Sequence, residues 1–127
     1  MSFLTRLFRG RPKVLPESIR DLESYRARVL ESELPVIVDV WGATCPPCKQ
    51  LEPVLIEVAT RFADRVRVVE IGVESAEPEL VRALEVRATP TLIVVHEGQE
   101  LGRQTGYRPV SWFEEMIETE FPEETAD

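Results

Sequence analysis

Two cysteines and one carboxylate are the residues of this 127-residue chain whose types and spacing could do chemistry together. Cys45 and Cys48, in the run Cys45-Pro46-Pro47-Cys48, are its only cysteines, and His96 is its only histidine. Two thiols one helical turn apart can close a disulfide and open it again by exchange. A Cys₄ zinc site needs more cysteines and a Cys₂His₂ site a second histidine. A Cys₂-His-Asp set remains arithmetically open, but no metal is assigned. Nor can two cysteines build the multi-bridge scaffold of a small secreted domain. The pair reads as a redox couple. With Cys45 in the first turn of a helix, its sulfur lies near unsatisfied backbone N–H groups and the positive end of the helix dipole. Both favour the thiolate, which is the nucleophile. Cys48, a turn deeper on the same side, is the more shielded sulfur. Cys45 is therefore the attacking thiol and Cys48 the resolving one.

Asp39 is the second unusual residue. It interrupts the apolar run Val36-Ile37-Val38-Asp39-Val40-Trp41, six residues before Cys45. Burying a carboxylate there is costly, so its pKa should rise, and a raised acid can take the proton from Cys48. The bland alternative is a carboxylate bonded to local backbone N–H groups. Thr89-Pro90-Thr91 is the third feature. A proline before a core strand must sit at its first position or at a bulge. A proline at such a position can take a cis bond. His96, at the far end of that strand, reads as a surface residue and receives no role.

These residues need elements to hold them. A short strand is expected near Glu17–Arg20, then a helix capped by Asp21 with Leu22, Tyr25, Val29 and Leu30 on its apolar face. Val36–Trp41 suits a strand buried on both faces. From Pro46 a helix runs to about Ala63, with Leu51, Val54, Leu55, Val58, Ala59 and Phe62 inward and Pro53 kinking it. Arg65–Val73 reads as a second core strand, Pro78 opens a short helix with Leu80, Val81 and Leu84, and Thr91–Val95 is a third core strand. Glu97-Gly98 turns into a fourth strand, giving a hairpin of antiparallel edge strands. Ser111-Trp112-Phe113-Glu114 reads as a capping box on a last helix burying Trp112, Phe113, Met116 and Ile117. The order βαβ, α, β-hairpin, α implies an α/β fold: a mixed sheet with helices on both faces.

Net charge is −8, which disfavours nucleic-acid binding. Arg6, Arg9, Arg11 and Lys13 give residues 1–16 a charge of +4, leaving −12 for residues 17–127. Seven acids and no base lie between Glu114 and Asp127. No apolar run approaches the roughly 20 residues that span a bilayer, and Met1–Gly10 lacks the apolar stretch of a secretory signal. Residues 1–16 form a basic extension with Phe3, Leu4, Leu7 and Phe8 at helical spacing. Membrane contact through them is not expected, since the acidic remainder would be repelled by anionic lipid. Deleting them is expected to leave redox activity intact. Residues 17–121 form the domain and 122–127 an acidic tail. The expected location is the cytoplasm and the expected state a monomer.

Together these motifs resemble the thioredoxin family over about residues 17–120. Val36–Trp41 is similar to the family's V-D-F-W strand, and Cys45-Pro46-Pro47-Cys48-Lys49 stands where it has W-C-G-P-C-K. Pro53 matches its helix proline, Ala88-Thr89-Pro90-Thr91 its cis-proline loop, and Gly98 and Gly106 its later glycines. The resemblance implies a thioredoxin fold and a thiol–disulfide oxidoreductase that reduces protein disulfides. Cys45, Cys48 and Asp39 would be catalytic, and Trp41, Thr44, Pro46, Pro47, Thr89, Pro90 and Gly106 would bind substrate. It also implies no cofactor beyond the Cys45–Cys48 disulfide, with disulfide-containing proteins as substrates and a thioredoxin reductase or similar electron donor. Three departures bear on substrate range. Thr44 replaces the tryptophan before the first cysteine. Pro46 replaces glycine and removes an N–H. Glu70 stands where a lysine is common near the buried acid. The alternatives are a specialised partner of one dedicated protein, or a binding module on the same fold with little general reductase activity.

Overall fold

The computed structural model describes residues 12–123. Within them the chain runs β1 (Glu17–Ser18), α1 (Leu22–Tyr25) continued by a π-helical segment (Arg26–Leu30), β2 (Val36–Trp41), α2 (Pro46–Arg61), β3 (Arg67–Gly72), α3 (Pro78–Leu84), β4 (Thr91–His96), β5 (Gln99–Thr105) and α4 (Val110–Glu120). The strands form one sheet in the order β1-β3-β2-β4-β5. β1 and β2 are parallel to β3, while β4 is antiparallel to both β2 and β5. This is the expected mixed sheet.

Alternation along β2 divides the core. Val36, Val38 and Val40 join Ile19, Val69, Ile71, Leu80 and Leu84 on one face. Ile37 joins Leu51, Leu55, Val58, Phe113 and Ile117 on the other. Thus α1 and α3 cover one side of the sheet, and α2 and α4 the other. Asp39 shares the phase of Ile37, because strand side chains alternate with period two, so it faces the α2 layer. The strand that supplies it pairs on both edges, which fixes its position relative to Glu70 on β3 and Leu92 on β4.

Four local expectations change. Leu22 and Leu30 are exposed. The chain leaves α-helical geometry after Tyr25, and the Glu31 N–H reaches back five residues to the Arg26 carbonyl. A stripe spaced by three and four residues therefore does not persist, and only Val29 is fully buried. The capping box does not form. Helix α4 begins at Val110 with Pro109 as its N-cap and no side-chain cap bond, which places Ser111 inside the first turn. On that helix Phe113 and Ile117 are buried, while Trp112 and Met116 are only partly covered. The hairpin supplies one edge strand, not two: β4 lies inside the sheet and β5 forms the edge. Its turn, Glu97-Gly98, has positive φ at both residues (54° and 77°), the geometry of a tight two-residue hairpin turn.

Before β1 the chain runs along α2. The Val14 N–H donates to Thr60 Oγ1 at 2.9 Å, and the Val14 side chain packs against the α2–α4 core. Expectations for residues 1–11 and 124–127 lie outside the described residues. Among the described residues no helix is long and apolar enough to cross a membrane.

Candidate functional site

Cys45 is the N-cap of α2, one position before the first helical turn that the sequence suggests. Cys45 and Cys48 form a disulfide with Cα atoms 5.2 Å apart. Pro46 and Pro47 lack N–H groups, so the Cys48 amide is the first the helix can offer. It donates to Cys45 Sγ at 3.3 Å and to the Cys45 carbonyl at 3.0 Å. Lys49 N–H joins it on that carbonyl at 3.2 Å. A thiolate on Cys45 would therefore meet a helix N-terminus with its first two amides removed. Both cysteines are buried, Cys48 (4% exposed) slightly deeper than Cys45 (8%). Beside them Pro46 and Thr44 are exposed.

The two sulfurs have different neighbours. On the Cys45 side the turn residue Gly42 packs tightly: a Cβ there would lie 3.0 Å from Thr89 Oγ1 and 3.7 Å from Cys45 Cβ. The loop Thr89-Pro90 is thereby brought beside Cys45, with a cis peptide bond between its two residues. Gly106 N–H donates to the Pro90 carbonyl at 2.9 Å, so Gly106 belongs to this cluster as well. Glu74 Oε2 accepts from the Ala43 N–H at 3.0 Å and braces the turn. Nothing in the sequence pointed to Glu74, which lies 31 residues from its partner.

On the Cys48 side a cavity of about 300 Å³ opens. Asp39, Cys48, Glu70, Glu52, Lys49 and Trp41 contribute to its lining. Asp39 is 3% exposed, and its Oδ1 has no hydrogen-bond partner among the described residues. That finding disfavours the alternative in which local backbone N–H groups satisfy the carboxylate. Burial pushes the Asp39 carboxyl up from 3.8 to about 7, and the negative charges of Glu70 and Glu52 push it the same way. Glu70 is the residue opposite Asp39 in the β2–β3 register. Its Oε2 accepts from Trp41 Nε1 at 3.3 Å, which holds the acid against the cavity. Glu52 was missed from sequence, although its place four residues after Cys48 puts it on the same helix face.

His96 packs edge-on against Phe121 at 5.3 Å, far along β4 from Pro90, and is half-buried. Among the described residues no group of three or more His, Cys, Asp or Glu side chains could hold a metal ion.

Gly72 makes the Trp41 arm possible. A Cβ there would fall 2.6 Å from the Trp41 ring and 2.6 Å from Ser75 Oγ. Gly72→Ala is therefore expected to displace the indole from Glu70 and to cost about 1–3 kcal/mol. Urea denaturation, read together with Trp fluorescence, checks both effects. An unchanged midpoint with unchanged fluorescence would refute this packing.

The chain's likeness to known proteins is consistent with this geometry. A family model described as thioredoxin matches residues 18–119. Thioredoxin C-2 of Corynebacterium nephridii is 37% identical over 89 residues, covering 70% of this chain and 82% of that protein. Thioredoxin 1 of Synechococcus elongatus is 34% identical over 86 residues, covering 68% and 79%. A chain solved in work on the thiol resolving mechanism in yeast mitochondrial 1-Cys peroxiredoxin via glutathione/thioredoxin systems superposes with a TM-score of 0.72 at 25% identity, covering 82% of this chain and 94% of that one.

Proposed function

This chain belongs to the thioredoxin family and is a thiol–disulfide oxidoreductase; from that premise we propose that it reduces protein disulfides, with Cys45 attacking, Cys48 resolving and Asp39 acting as the base for Cys48. The observation that carries this reading is the Cys45–Cys48 disulfide at the start of α2, with the cis Thr89-Pro90 loop on one side and the Asp39 cavity on the other. In the reduced protein the Cys45 thiolate attacks one sulfur of a substrate disulfide. A Cys45–substrate bond forms, and the other substrate sulfur leaves as a thiolate that takes a proton from water. Asp39 then removes the Cys48 proton. The Cys48 thiolate bonds Cys45 Sγ, and the second substrate sulfur departs. Two electrons pass to the substrate, and the protein is left as the disulfide.

Trp41, Thr44, Pro46, Pro47, Thr89, Pro90 and Gly106 would form the surface on which the substrate chain lies. The Cys45/Cys48 dithiol itself carries the electrons, and a thioredoxin reductase or similar donor would restore it from the disulfide. The reading takes residues 17–121 as the working domain, with an acidic tail at 122–127, and places the protein in the cytoplasm.

The test is equilibration of the Cys45/Cys48 couple with a glutathione buffer, paired with reduction of insulin coupled to a general thioredoxin reductase. A potential near thioredoxin's, about −270 mV, with brisk insulin reduction is expected; a value near about −120 mV would make the protein an oxidant and overturn the direction. Thr44 and Pro46 favour a second reading, a member serving one dedicated partner. Thr44 puts a small polar group where the family has a flat aromatic one, and Pro46 removes an amide beside Cys45. A reducing potential without insulin reduction would select that reading.

A further inference from the structure

Leu15 and Pro16 precede the stretch that carries the family likeness, yet they reach the chemistry. Leu15 and Pro16 line the same cavity as Asp39 and Cys48. Leu15 is also 63% exposed, so it stands at the rim with the cavity on one side and solvent on the other. One side chain of α2 latches the segment. Thr60 Oγ1 accepts the Val14 N–H at 2.9 Å, and the same hydroxyl lies 3.4 Å from the Val14 carbonyl, to which it donates. We propose that this strap, residues 12–16 latched by Thr60, is the outer wall of the cavity and a positioning element of the resolving step, because it limits the water through which Asp39 exchanges its proton. The proposal rests on Asp39 as the base for Cys48.

The step it governs can be written in full. Cys48 gives its proton to the Asp39 carboxylate, and the Cys48 sulfur bonds Cys45 Sγ. The Cys45–substrate bond breaks, its electron pair leaves on the substrate sulfur, and that sulfur takes a proton from water. Asp39 must then return its own proton to water before the next cycle, and the cavity is the route on its side of the disulfide. The charged groups facing Asp39 are Glu70 from β3 and Glu52 and Lys49 from α2, besides Cys48 itself. β4 opposes it with apolar Leu92. Leu15 and Pro16, the strap residues that line the cavity, add no charge to this set, and Lys13 does not line it, so the wall acts on Asp39 by excluding water. Burial is the leading cause of the elevated Asp39 carboxyl, and part of that burial is wall. Opening the wall hydrates the carboxylate and eases its ionisation.

Thr60→Val removes the latch with little change of shape, Thr60→Ser keeps it, and Leu15→Ala lowers the rim without touching Thr60. All are made in the full chain. The Asp39 carboxyl is titrated by ¹³C NMR in the oxidised protein. Stopped-flow measurement of mixed-disulfide resolution against pH, with a peptide disulfide as probe, supplies the second readout. Thr60→Val and Leu15→Ala should each lower both midpoints by about one unit, with Thr60→Ser like the parent. Deletion of residues 1–16 takes away the wall together with the positive charges of Arg6, Arg9, Arg11 and Lys13, so it should lower both midpoints by less than Thr60→Val does, which still departs from the expectation that the extension is dispensable. The first attack by Cys45 should change less than about twofold in every variant. Midpoints unmoved in Thr60→Val and Leu15→Ala would overturn the proposal, as would Thr60→Ser shifting as far as Thr60→Val. Asp39→Asn separates the two levels. If it resolves at the parent rate, the base reading falls and the strap's role with it. If it resolves slowly while the wall variants leave the carboxyl unmoved, the strap alone is refuted.

Discussion

Cys45→Ser should reduce insulin no faster than the uncatalysed background, whereas Cys48→Ser should accumulate a covalent one-to-one adduct with its substrate. The difference follows from the positions of the two sulfurs. Cys45 is the N-cap, beside the Thr89-Pro90 loop, and takes the Cys48 N–H on its sulfur. A thiolate there is favoured by that amide and by the helix dipole. Cys48 is slightly deeper and turns to the cavity shared with Asp39, adjacent to Cys45. Without Cys45 no bond to substrate forms, and the buried Cys48 thiol cannot substitute. Without Cys48 the first bond forms and cannot be resolved, so the adduct persists until an external thiol is added. Intact-mass measurement after mixing each reduced variant with a disulfide peptide reads both outcomes. Adducts on Cys45→Ser and none on Cys48→Ser would reverse the assignment.

Much of this arrangement was legible in the residues because the same pattern appears at two levels. Val36–Trp41 is β-branched and apolar, and it became the central strand with both faces covered. Asp39 stood out because a carboxylate in such a run has no cheap explanation, and its orphaned Oδ1 shows that the local backbone supplies none. Glu70 entered as a departure from the family pattern, and the β2–β3 register sets it opposite Asp39.

What stayed hidden depended on contacts distant in sequence or on local backbone geometry. Glu74 bracing Ala43, and Thr60 holding Val14, have no periodicity to betray them. The same holds for Leu15 and Pro16, which read as the end of an extension and prove to be cavity wall. The helix errors had a different origin. Leu22 and Leu30 fit a 3.6-residue stripe, but the π-helical segment after Tyr25 changes the period beneath them. Ser111 and Glu114 have capping-box spacing, yet the chain enters the helix two residues earlier, after Pro109.

Asp39→Asn is expected to make the protein more stable and the chemistry slower at the same pH. The carboxyl is raised from 3.8 to about 7, by burial first and then by Glu70 and Glu52. Between those values the folded chain holds a proton that the unfolded chain has lost. Stability contributed by this group is therefore fully present below the unfolded value and is lost as pH rises through about 7. At about 1.4 kcal/mol per unit, the loss is on the order of 4 kcal/mol. An amide carries no charge at any of these pH values, so the variant does not suffer that decline. Its gain should be largest near pH 8 and should vanish toward pH 4, where the native carboxyl is neutral as well. A general stabilisation from better packing would instead be independent of pH. The same substitution removes the group proposed to take the Cys48 proton. Resolution of mixed disulfides should slow by about tenfold to a hundredfold at neutral pH and gain on the parent as pH rises, when hydroxide can take the proton in place of Asp39. Attack by Cys45 should be nearly unaffected. Urea titrations of parent and variant at pH 4, 6 and 8, run beside the stopped-flow assay, test the two halves separately. A pH 8 midpoint equal to or below the parent's would mean that Asp39 is not an uncompensated buried carboxylate. A stabilised variant that still resolves at the parent rate would leave the burial standing and remove Asp39 from the mechanism.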